Sequence, residues 1–172
     1  MEIMTPFLDE TIKNLRAGDN ILLSGFLYTG RDAAHKRLLE LAENGKKPPF
    51  DYGGQAIYYT GPCPAPPGRV IGSAGPTTSG RMDSFSPRLI KEGLRVMVGK
   101  GARGEAVTNA IKEHQGLYLA ALGGAGALLS LCITESEVIA FADLGTEAIY
   151  RLTVLKMPLI VAIDSEGRSI YK

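Results

Sequence analysis

The hydrophobic pattern near the start of the chain predicts a buried strand followed by an amphipathic helix. Residues 20–28 form an almost unbroken apolar run, Asn-Ile-Leu-Leu-Ser-Gly-Phe-Leu-Tyr. Such a run is typical of a strand that is covered on both faces. In residues 31–44 the apolar positions recur at helical spacing with charged residues between them, and Gly45 follows as a stop signal. We therefore expect a strand–helix unit here.

The same alternation continues along the chain. Further strands are predicted over residues 55–60, 69–73, 95–98, 117–121, 131–134, 152–155 and 159–164. Helices are predicted between several of them, over residues 86–92, 105–114 and 125–130. Strands that alternate with helices favour an α/β fold with a mostly parallel sheet. A length of 172 residues fits one such unit, and we expect a single domain over residues 1–172.

Composition excludes several classes of partner. The formal net charge is +1, and hydrophobic and charged residues make up 45% and 22% of the chain, near the averages for globular proteins. This charge gives no field that would attract nucleic acid or anionic lipid. No apolar run approaches the roughly 20 residues that span a bilayer, and the first residues lack the pattern of a signal peptide. We expect a cytoplasmic protein with no nucleic-acid or membrane partner.

Three cations share one context, a glycine-containing loop directly after a predicted strand: Arg31, Arg81 and Lys100. For Arg81 this placement depends on the strand predicted over residues 69–73. Ligands of open α/β sheets bind beyond the carboxyl ends of the strands, where backbone N–H groups are also free. The three loops would therefore direct positive charge at one region, and the expected ligand is an anion.

Arg31 is the most informative of the three cations. Thr29 is expected to cap the following helix, with Asp32 in the first turn. A cation at this end of a helix opposes the macrodipole by about 0.3–1 kcal/mol, and a bound anion would offset that cost. The alternative is a surface ion pair between Arg31 and Asp32 or Glu40. Position along the chain leaves both interpretations open.

Two glycine patterns suggest nucleotide binding, but each is incomplete. Residues 75–82 have the spacing of a phosphate-binding P-loop, yet Arg81 and Met82 stand where lysine and a hydroxyl residue are required. Residues 99–104 match Gly-x-Gly-x-x-Gly between a strand and a helix. The following strand lacks the acidic residue that binds a ribose. Tight strand-to-helix turns are the structural alternative for these glycines.

Histidines and cysteines add little further chemistry. His35 lies one helical turn after Arg31 and would either face the same site or serve a structural role on the helix surface. Cys63 lies in a proline-rich loop, and Cys132 lies in an apolar run where it would be a small buried hydrophobic residue. Two widely separated cysteines form neither a disulfide framework nor a metal site.

Four segments resemble the motifs of class I, iron–sulfur fumarases and their L-tartrate dehydratase relatives. Residues 75–83 read Gly-Pro-Thr-Thr-Ser-Gly-Arg-Met-Asp, and residues 30–35 read Gly-Arg-Asp-Ala-Ala-His. The others are Val-Gly-Lys-Gly at residues 98–101 and Leu-Gly-Thr-Glu-Ala-Ile at residues 144–149. Four motifs in the family's order are far more specific than either glycine pattern.

The resemblance implies a β subunit, equivalent to the C-terminal domain of the longer enzymes. In this family the corresponding region is a swivelling β/β/α-type domain that packs over a separate α domain or subunit. The α partner holds a [4Fe–4S] cluster through three cysteines, which the cysteines of this chain do not match. A cluster-bearing α subunit and an α2β2 hetero-oligomer are therefore expected, with no metal bound by this chain.

The resemblance also implies a reaction and roles for residues. A C4 dicarboxylate would be the substrate, most simply in the reversible hydration of fumarate to (S)-malate, with the cluster as Lewis acid for the hydroxide. Thr77 would exchange the carbon-bound proton with the help of a partner residue, and Arg81 would polarise the substrate. Arg31 and Lys100 would bind its carboxylates, since fixed cations meet the charge that grows in the transition state.

Supporting roles and alternatives follow from the same motifs. Asp32, His35 and Thr78 are expected near the site, and Asp83 would orient Arg81 or act as a helix-start carboxylate. A turn or helix cap is the alternative role for Thr77 and Thr78. L-Tartrate or a mesaconate-type substrate would replace fumarate in a related hydro-lyase. A different class is a nucleotide- or anion-binding regulatory domain without catalysis.

Overall fold

A computed structural model of the chain describes residues 1–171. The strands are β1 (Glu2–Met4), β2 (Asn20–Thr29), β3 (Ala56–Tyr58), β4 (Val96–Gly99), β5 (Leu117–Ala120), β6 (Ile133–Ala140) and β7 (Ile149–Ile163). The helices are α1 (Asp9–Asn14), α2 (Asp32–Glu43), α3 (Ser86–Lys91), α4 (Glu105–His114) and α5 (Gly126–Ser130). Two short 3₁₀ helices cover Ser79–Met82 and Ala142–Glu147. Within residues 1–171, no helix combines the length and apolar character that a membrane crossing needs.

The strands form one sheet that closes on itself. Strands β1 to β5 pair in parallel in chain order. The long strand β7 is antiparallel and pairs with β5 and with β2, which closes a ring of five strands, β2, β3, β4, β5 and β7. Strand β6 pairs with β7 outside this ring. The predicted α/β fold with a mostly parallel sheet is confirmed.

Alternate residues of each ring strand enter two separate cores. In β3, for example, Ala56 and Tyr58 belong to one core and Ile57 to the other. The first core contains residues from all five ring strands, as expected for side chains that face one another inside a closed sheet. The second core joins the outer face of the sheet to helices α2, α3 and α4. Continuous apolar runs therefore suit these strands, because both faces are buried.

The strand predicted over residues 69–73 is wrong. This segment folds back on the start of its own loop, where Cys63 donates its N–H to the Ser73 carbonyl at 2.9 Å and accepts from the Gly72 N–H at 3.1 Å. Ile71 is buried in the inner core without joining the sheet. The apolar residues therefore cover the core from a loop.

The two strands predicted over residues 152–155 and 159–164 are one strand, β7. The residues between them were not predicted as strand, but in the structure they continue it with an irregularity in the pairing. Lys156 adopts a φ of 52°, and the register with β2 shifts between Leu23 and Gly25. A bulge of this kind bends a strand without ending it. Strand β1 and helix α1 were missed because both are short.

Helix α2 buries Ala34, His35 and Leu38 against the sheet. His35 is therefore a buried residue and not a helix-surface one. Its Nδ1 lies 2.8 Å from the Arg31 carbonyl oxygen, so Nδ1 must carry the proton, because a carbonyl only accepts. Its ring meets the Tyr59 ring edge-on at 5.1 Å. Burial lowers the pKa of His35 from 6.5 to about 4.

The predicted capping of α2 by Thr29 is wrong. The helix begins after Arg31, which occupies the N-cap position without a side-chain hydrogen bond. The Thr29 hydroxyl instead donates to the Ala148 carbonyl at 3.4 Å and accepts from the Tyr150 N–H at 3.1 Å. It therefore ties β2 to the start of β7.

The buried imidazole predicts a pH dependence of stability. Because the pKa of His35 is lower in the folded than in the unfolded chain, the unfolded chain binds the extra proton between pH 6.5 and 4. The contribution of His35 is thus complete above pH 6.5 and is lost as the pH falls. We expect about 2.5 kcal/mol of stability to be lost between pH 7.5 and 4.5 through this residue.

Urea unfolding of the chain and of His35→Gln at both pH values measures this loss. The glutamine can still donate to the Arg31 carbonyl, so the variant should fold. Its stability should decline less than that of the wild type by about 2.5 kcal/mol. Equal declines for the two proteins would contradict the assignment.

Candidate functional site

The carboxyl ends of β2, β3 and β4 form one edge of the ring, and two of the predicted cations lie there. Arg31 directly follows β2 through Gly30, whose N–H donates to the Tyr58 carbonyl at the end of β3 at 3.0 Å. Lys100 directly follows β4. The expectation that these two residues lie beyond strand ends is confirmed.

The loop that contains Thr77 is fastened to the end of β3. The Thr77 N–H donates to the Tyr59 carbonyl at 2.6 Å. Two residues earlier, the Gly75 carbonyl accepts from the Thr60 hydroxyl at 2.7 Å. Thr77 is half-buried and precedes the 3₁₀ helix, whose N-cap position is taken by Thr78 without a side-chain bond. Thr77 therefore has no capping role here.

The next residues of this loop join the end of β4. Thr78 and Lys100 form an isolated parallel bridge, and the Ser79 N–H donates to the Lys100 carbonyl at 2.9 Å. These two segments of the backbone lie so close together that a Cβ at Gly99 would collide with the Ser79 side chain. Close backbone approach is therefore the reason for this glycine, and it holds Thr77 and Lys100 at neighbouring positions.

Arg81 reaches the site by a route that the sequence did not predict. No strand leads directly into Arg81. It lies in the 3₁₀ helix Ser79–Met82, which places its side chain at the start of α2. Its Nη2 lies 2.8 Å from Oδ2 of Asp32, and its Nε lies 3.3 Å from Oδ1. This two-bond pair fixes the plane of the guanidinium beside Arg31. Asp32 is thus the carboxylate that orients Arg81.

The expectation that Asp83 orients Arg81 is wrong. Asp83 accepts from Nε of Arg103 at 2.7 Å and from the Gly104 N–H at 2.6 Å. The Arg103 side chain has no exposed surface and lies over the Tyr59 and Tyr118 rings, 5.2 and 5.0 Å from their centroids. The 3₁₀ helix turns Asp83 away from Arg81 and toward this buried cation. The pair fastens the loop after Lys100 to the Thr77 loop.

The ion pairs expected for Arg31 with Asp32 or Glu40 are also wrong. The nearest carboxylate is Glu147, whose Oε1 lies 3.9 Å from Nε of Arg31. On the other side the guanidinium passes close to Gly61, where an added Cβ would come within 2.9 Å of Nη1. Asp32 is unavailable to Arg31 because it faces Arg81.

Three residues that build the site had no predicted role: Tyr59, Arg103 and Glu147. Arg103 lies inside the Gly-x-Gly-x-x-Gly pattern and Glu147 inside the fourth motif. Both therefore belong to recognised motifs, but the motifs did not indicate what these two side chains do. Tyr59 carried no signal beyond strand character. The His35 ring packs against Tyr59. Its Nδ1 contacts the backbone carbonyl of Arg31 and not the guanidinium.

The arrangement suits a small anion with more than one carboxylate. Three cations from separate loops lie at one edge, and among residues 1–171 the carboxylates paired with them are Asp32 and Glu147. The site is less suited to a metal centre. Within residues 1–171 no group of three or more His, Cys, Asp and Glu side chains is arranged to hold a metal ion. The residues present do not fit an iron–sulfur cluster.

Comparison with known proteins agrees with the motifs. The family model described as fumarase C-terminus matches residues 1–172. The aerobic class I fumarate hydratase of Escherichia coli K12 is 39% identical over 152 residues, which are 87% of this chain and 28% of that protein. Fumarate hydratase 2 of Leishmania major is 37% identical over 156 residues, 90% of this chain and 28% of that protein.

A shorter relative matches over most of its own length. The putative L(+)-tartrate dehydratase subunit beta of Methanocaldococcus jannaschii is 38% identical over 167 residues, which are 94% of this chain and 86% of that protein. The chain spans less than a third of the two fumarate hydratases but nearly all of this subunit. The resemblance to class I fumarases and tartrate dehydratases is thereby confirmed, and the chain belongs to the fumarase C-terminus family.

Proposed function

We propose that this chain is the β subunit of a [4Fe–4S]-dependent hydro-lyase that reversibly hydrates fumarate to (S)-malate. One observation carries the proposal. Arg31, Arg81 and Lys100 arrive from separate parts of the chain at the edge where Thr77 is held by the end of β3. Family membership supports the reaction class, because the relatives are named as fumarate hydratases and as a tartrate dehydratase subunit.

The cations suit the charge changes of this reaction. Removing a proton beside a carboxylate makes that group more negative in the transition state, so fixed cations next to it lower the barrier. Arginine offers two parallel N–H donors to a carboxylate, and lysine offers a compact charge. Arg31 and Lys100 would hold the two ends of the dicarboxylate, and Arg81 would polarise the end that gains charge.

Thr77 is the proposed proton-transfer group. Its backbone is fixed by the Tyr59 carbonyl, and its side chain is half-buried at the cationic edge. A threonine hydroxyl is a poor base on its own and needs a neighbouring base to accept its proton. We propose that an aspartate of the partner subunit supplies that base.

The cluster is proposed to belong to a cluster-bearing α subunit, in a cytoplasmic α2β2 assembly. Cys63 is exposed and Cys132 is half-buried, and two cysteines are too few for the three cluster ligands that the family resemblance implies. The name of the M. jannaschii relative describes it as a subunit, and the fumarate hydratases extend well beyond the matched region. Both facts support a site that is completed by further protein.

L-Tartrate is the second candidate substrate. The relative that matches over most of its length carries that substrate in its name, whereas the matches to fumarate hydratases cover a smaller share of those proteins. A mesaconate-type substrate would use the same cations. Nucleotide binding by a regulatory domain has less support, because the close approach of Ser79 already explains Gly99, and Gly104 lies against the Asp83 carboxylate.

Removal of the Thr77 hydroxyl tests the proposed reaction. The chain is co-expressed with a cluster-bearing α subunit, and hydration of fumarate, L-tartrate dehydration and mesaconate hydration are measured. We expect Thr77→Ala to lower kcat for the preferred substrate at least about 100-fold, because a general base typically contributes that much. The thermal unfolding temperature of the chain should not change.

Thr134→Ala is the matched control, since Thr134 is an exposed threonine on β6. It should keep wild-type turnover. Full turnover by Thr77→Ala would remove this residue from the mechanism. A wild-type complex that is inactive on all three substrates would remove the proposed function.

Two aspartates near Arg81 should give opposite phenotypes. Asp32→Asn removes the charge that orients the exposed Arg81, so kcat/KM should fall about tenfold while stability changes by less than about 1 kcal/mol. Asp83→Asn leaves the buried charge of Arg103 without its partner and should lower the free energy of unfolding by about 3 kcal/mol.

Steady-state kinetics of the complex and urea unfolding of this chain separate the two effects. Each aspartate serves as the control for the other. If Asp83→Asn impaired turnover without loss of stability, Asp83 would have a direct role at the site.

A further inference from the structure

The fourth motif, residues 144–149, has no role in the proposed chemistry, yet the structure places it against Arg31. It spans the end of the second 3₁₀ helix and the start of β7. Gly145 interrupts that 3₁₀ helix with a φ of 60° and a ψ of −121°, a conformation that favours glycine. The kink carries the chain across the end of β2, and Glu147 follows two residues later.

Both sides of this motif are fixed to the β2–α2 unit. Before it, Asp143 accepts from Nη1 of Arg37 at 2.7 Å, and the same guanidinium lies over the Phe141 ring at 5.3 Å. After it, the Tyr150 N–H donates to the Thr29 hydroxyl at 3.1 Å. Glu147 is therefore held between two anchors on the unit that carries Arg31.

The guanidinium of Arg31 has an unmet requirement. Its Nε is buried, and among residues 1–171 it has no hydrogen-bond partner. A buried donor without an acceptor is unfavourable, so such an atom is expected to gain a partner in the functional state. Oε1 of Glu147 lies 3.9 Å away, about 1 Å beyond hydrogen-bond length.

We propose that Glu147 is a positioning residue that accepts a hydrogen bond from Nε of Arg31, both before and after substrate binds. This inference rests on the proposed function, since it assigns Arg31 to a substrate carboxylate. An arginine can meet a carboxylate through Nε with one Nη, or through both Nη atoms. A carboxylate bound to Nε would block the arrangement through Nε and one Nη, and would leave the arrangement through both Nη atoms. Glu147 would thus direct the substrate carboxylate to the two Nη atoms and fix the guanidinium plane.

The other pairs of the site show why this contact differs. Asp32 occupies both Nε and Nη2 of Arg81, and Asp143 occupies both Nη atoms of Arg37. Nε is the atom of the Arg31 guanidinium that lies closest to Glu147, so a bond there would restrain Arg31 and leave the Nη donors to the substrate. A solely structural Glu147 would have no effect on substrate affinity.

Steady-state kinetics of the reconstituted complex test this role. Arg31 would bind substrate in the ground state as well as the transition state, so Glu147→Ala should raise KM about tenfold and change kcat less than about threefold. In an Arg31→Lys background the same substitution should have no further effect, because lysine has no Nε–H at that position. Glu137→Ala is the matched control; this glutamate pairs with Arg151 on β6 and β7, and KM should not change.

An unchanged KM in Glu147→Ala would overturn the inference, as would an equal effect in the Arg31→Lys background. If the wild-type complex is inactive on every substrate tested, the proposed function fails, and NMR of this chain alone still tests the contact. The Nε–H resonance of Arg31 is assigned as the one that disappears in the Arg31→Lys variant. In Glu147→Ala the two Nη nitrogens of Arg31 should interchange faster by rotation about the Nε–Cζ bond. The same rate in both proteins would show that Glu147 does not restrain the guanidinium.

Discussion

The carbonyl of Tyr59, at the end of β3, accepts the Thr77 N–H, and the rest of the site depends on that bond. The Tyr59 N–H donates to the Val98 carbonyl at 2.8 Å, so the same residue continues the parallel pairing with β4. Its ring lies against His35 on one side and under the guanidinium of Arg103 on another. One buried residue therefore links the sheet edge and the Thr77 loop through its backbone, and helix α2 through its ring. Any shift of Tyr59 would move these parts together, which explains how three distant segments form one surface.

Closure of the sheet makes that arrangement rigid. Strand β7 pairs with both β2 and β5, so the parallel strands cannot splay apart, and their carboxyl ends stay at one edge. The sequence predicted the helices α2 and α4 well, because apolar residues at helical spacing depend only on local pattern. It did not predict that β7 is continuous, because a bulge at Lys156 resembles a turn in sequence. It also misassigned residues 69–73, since a loop that covers a core is as apolar as a strand.

In the site, too, features marked by local sequence could be predicted, whereas features that depend on the folded structure could not. Arg31, Lys100 and Thr77 could be proposed from sequence because glycine-rich strand ends and family motifs mark them. Their ionic partners could not, because pairing depends on the direction of side chains after folding. Asp32 is adjacent to Arg31 yet faces Arg81, and Asp83 is two residues from Arg81 yet faces Arg103. Proximity along the chain therefore misled in both cases.

Burial separates the charged pairs into two kinds. The Arg103–Asp83 pair is buried on the arginine side and has further hydrogen bonds to Ser86 and Gly104, so breaking it would leave an uncompensated charge. The Arg81–Asp32 pair is largely exposed, and exposed pairs contribute only about 0–1 kcal/mol. Rearranging the Arg81–Asp32 pair when another anion approaches would therefore cost little. We infer that the buried pair holds the loops in place, and that the exposed Arg81 keeps its charge available for a ligand.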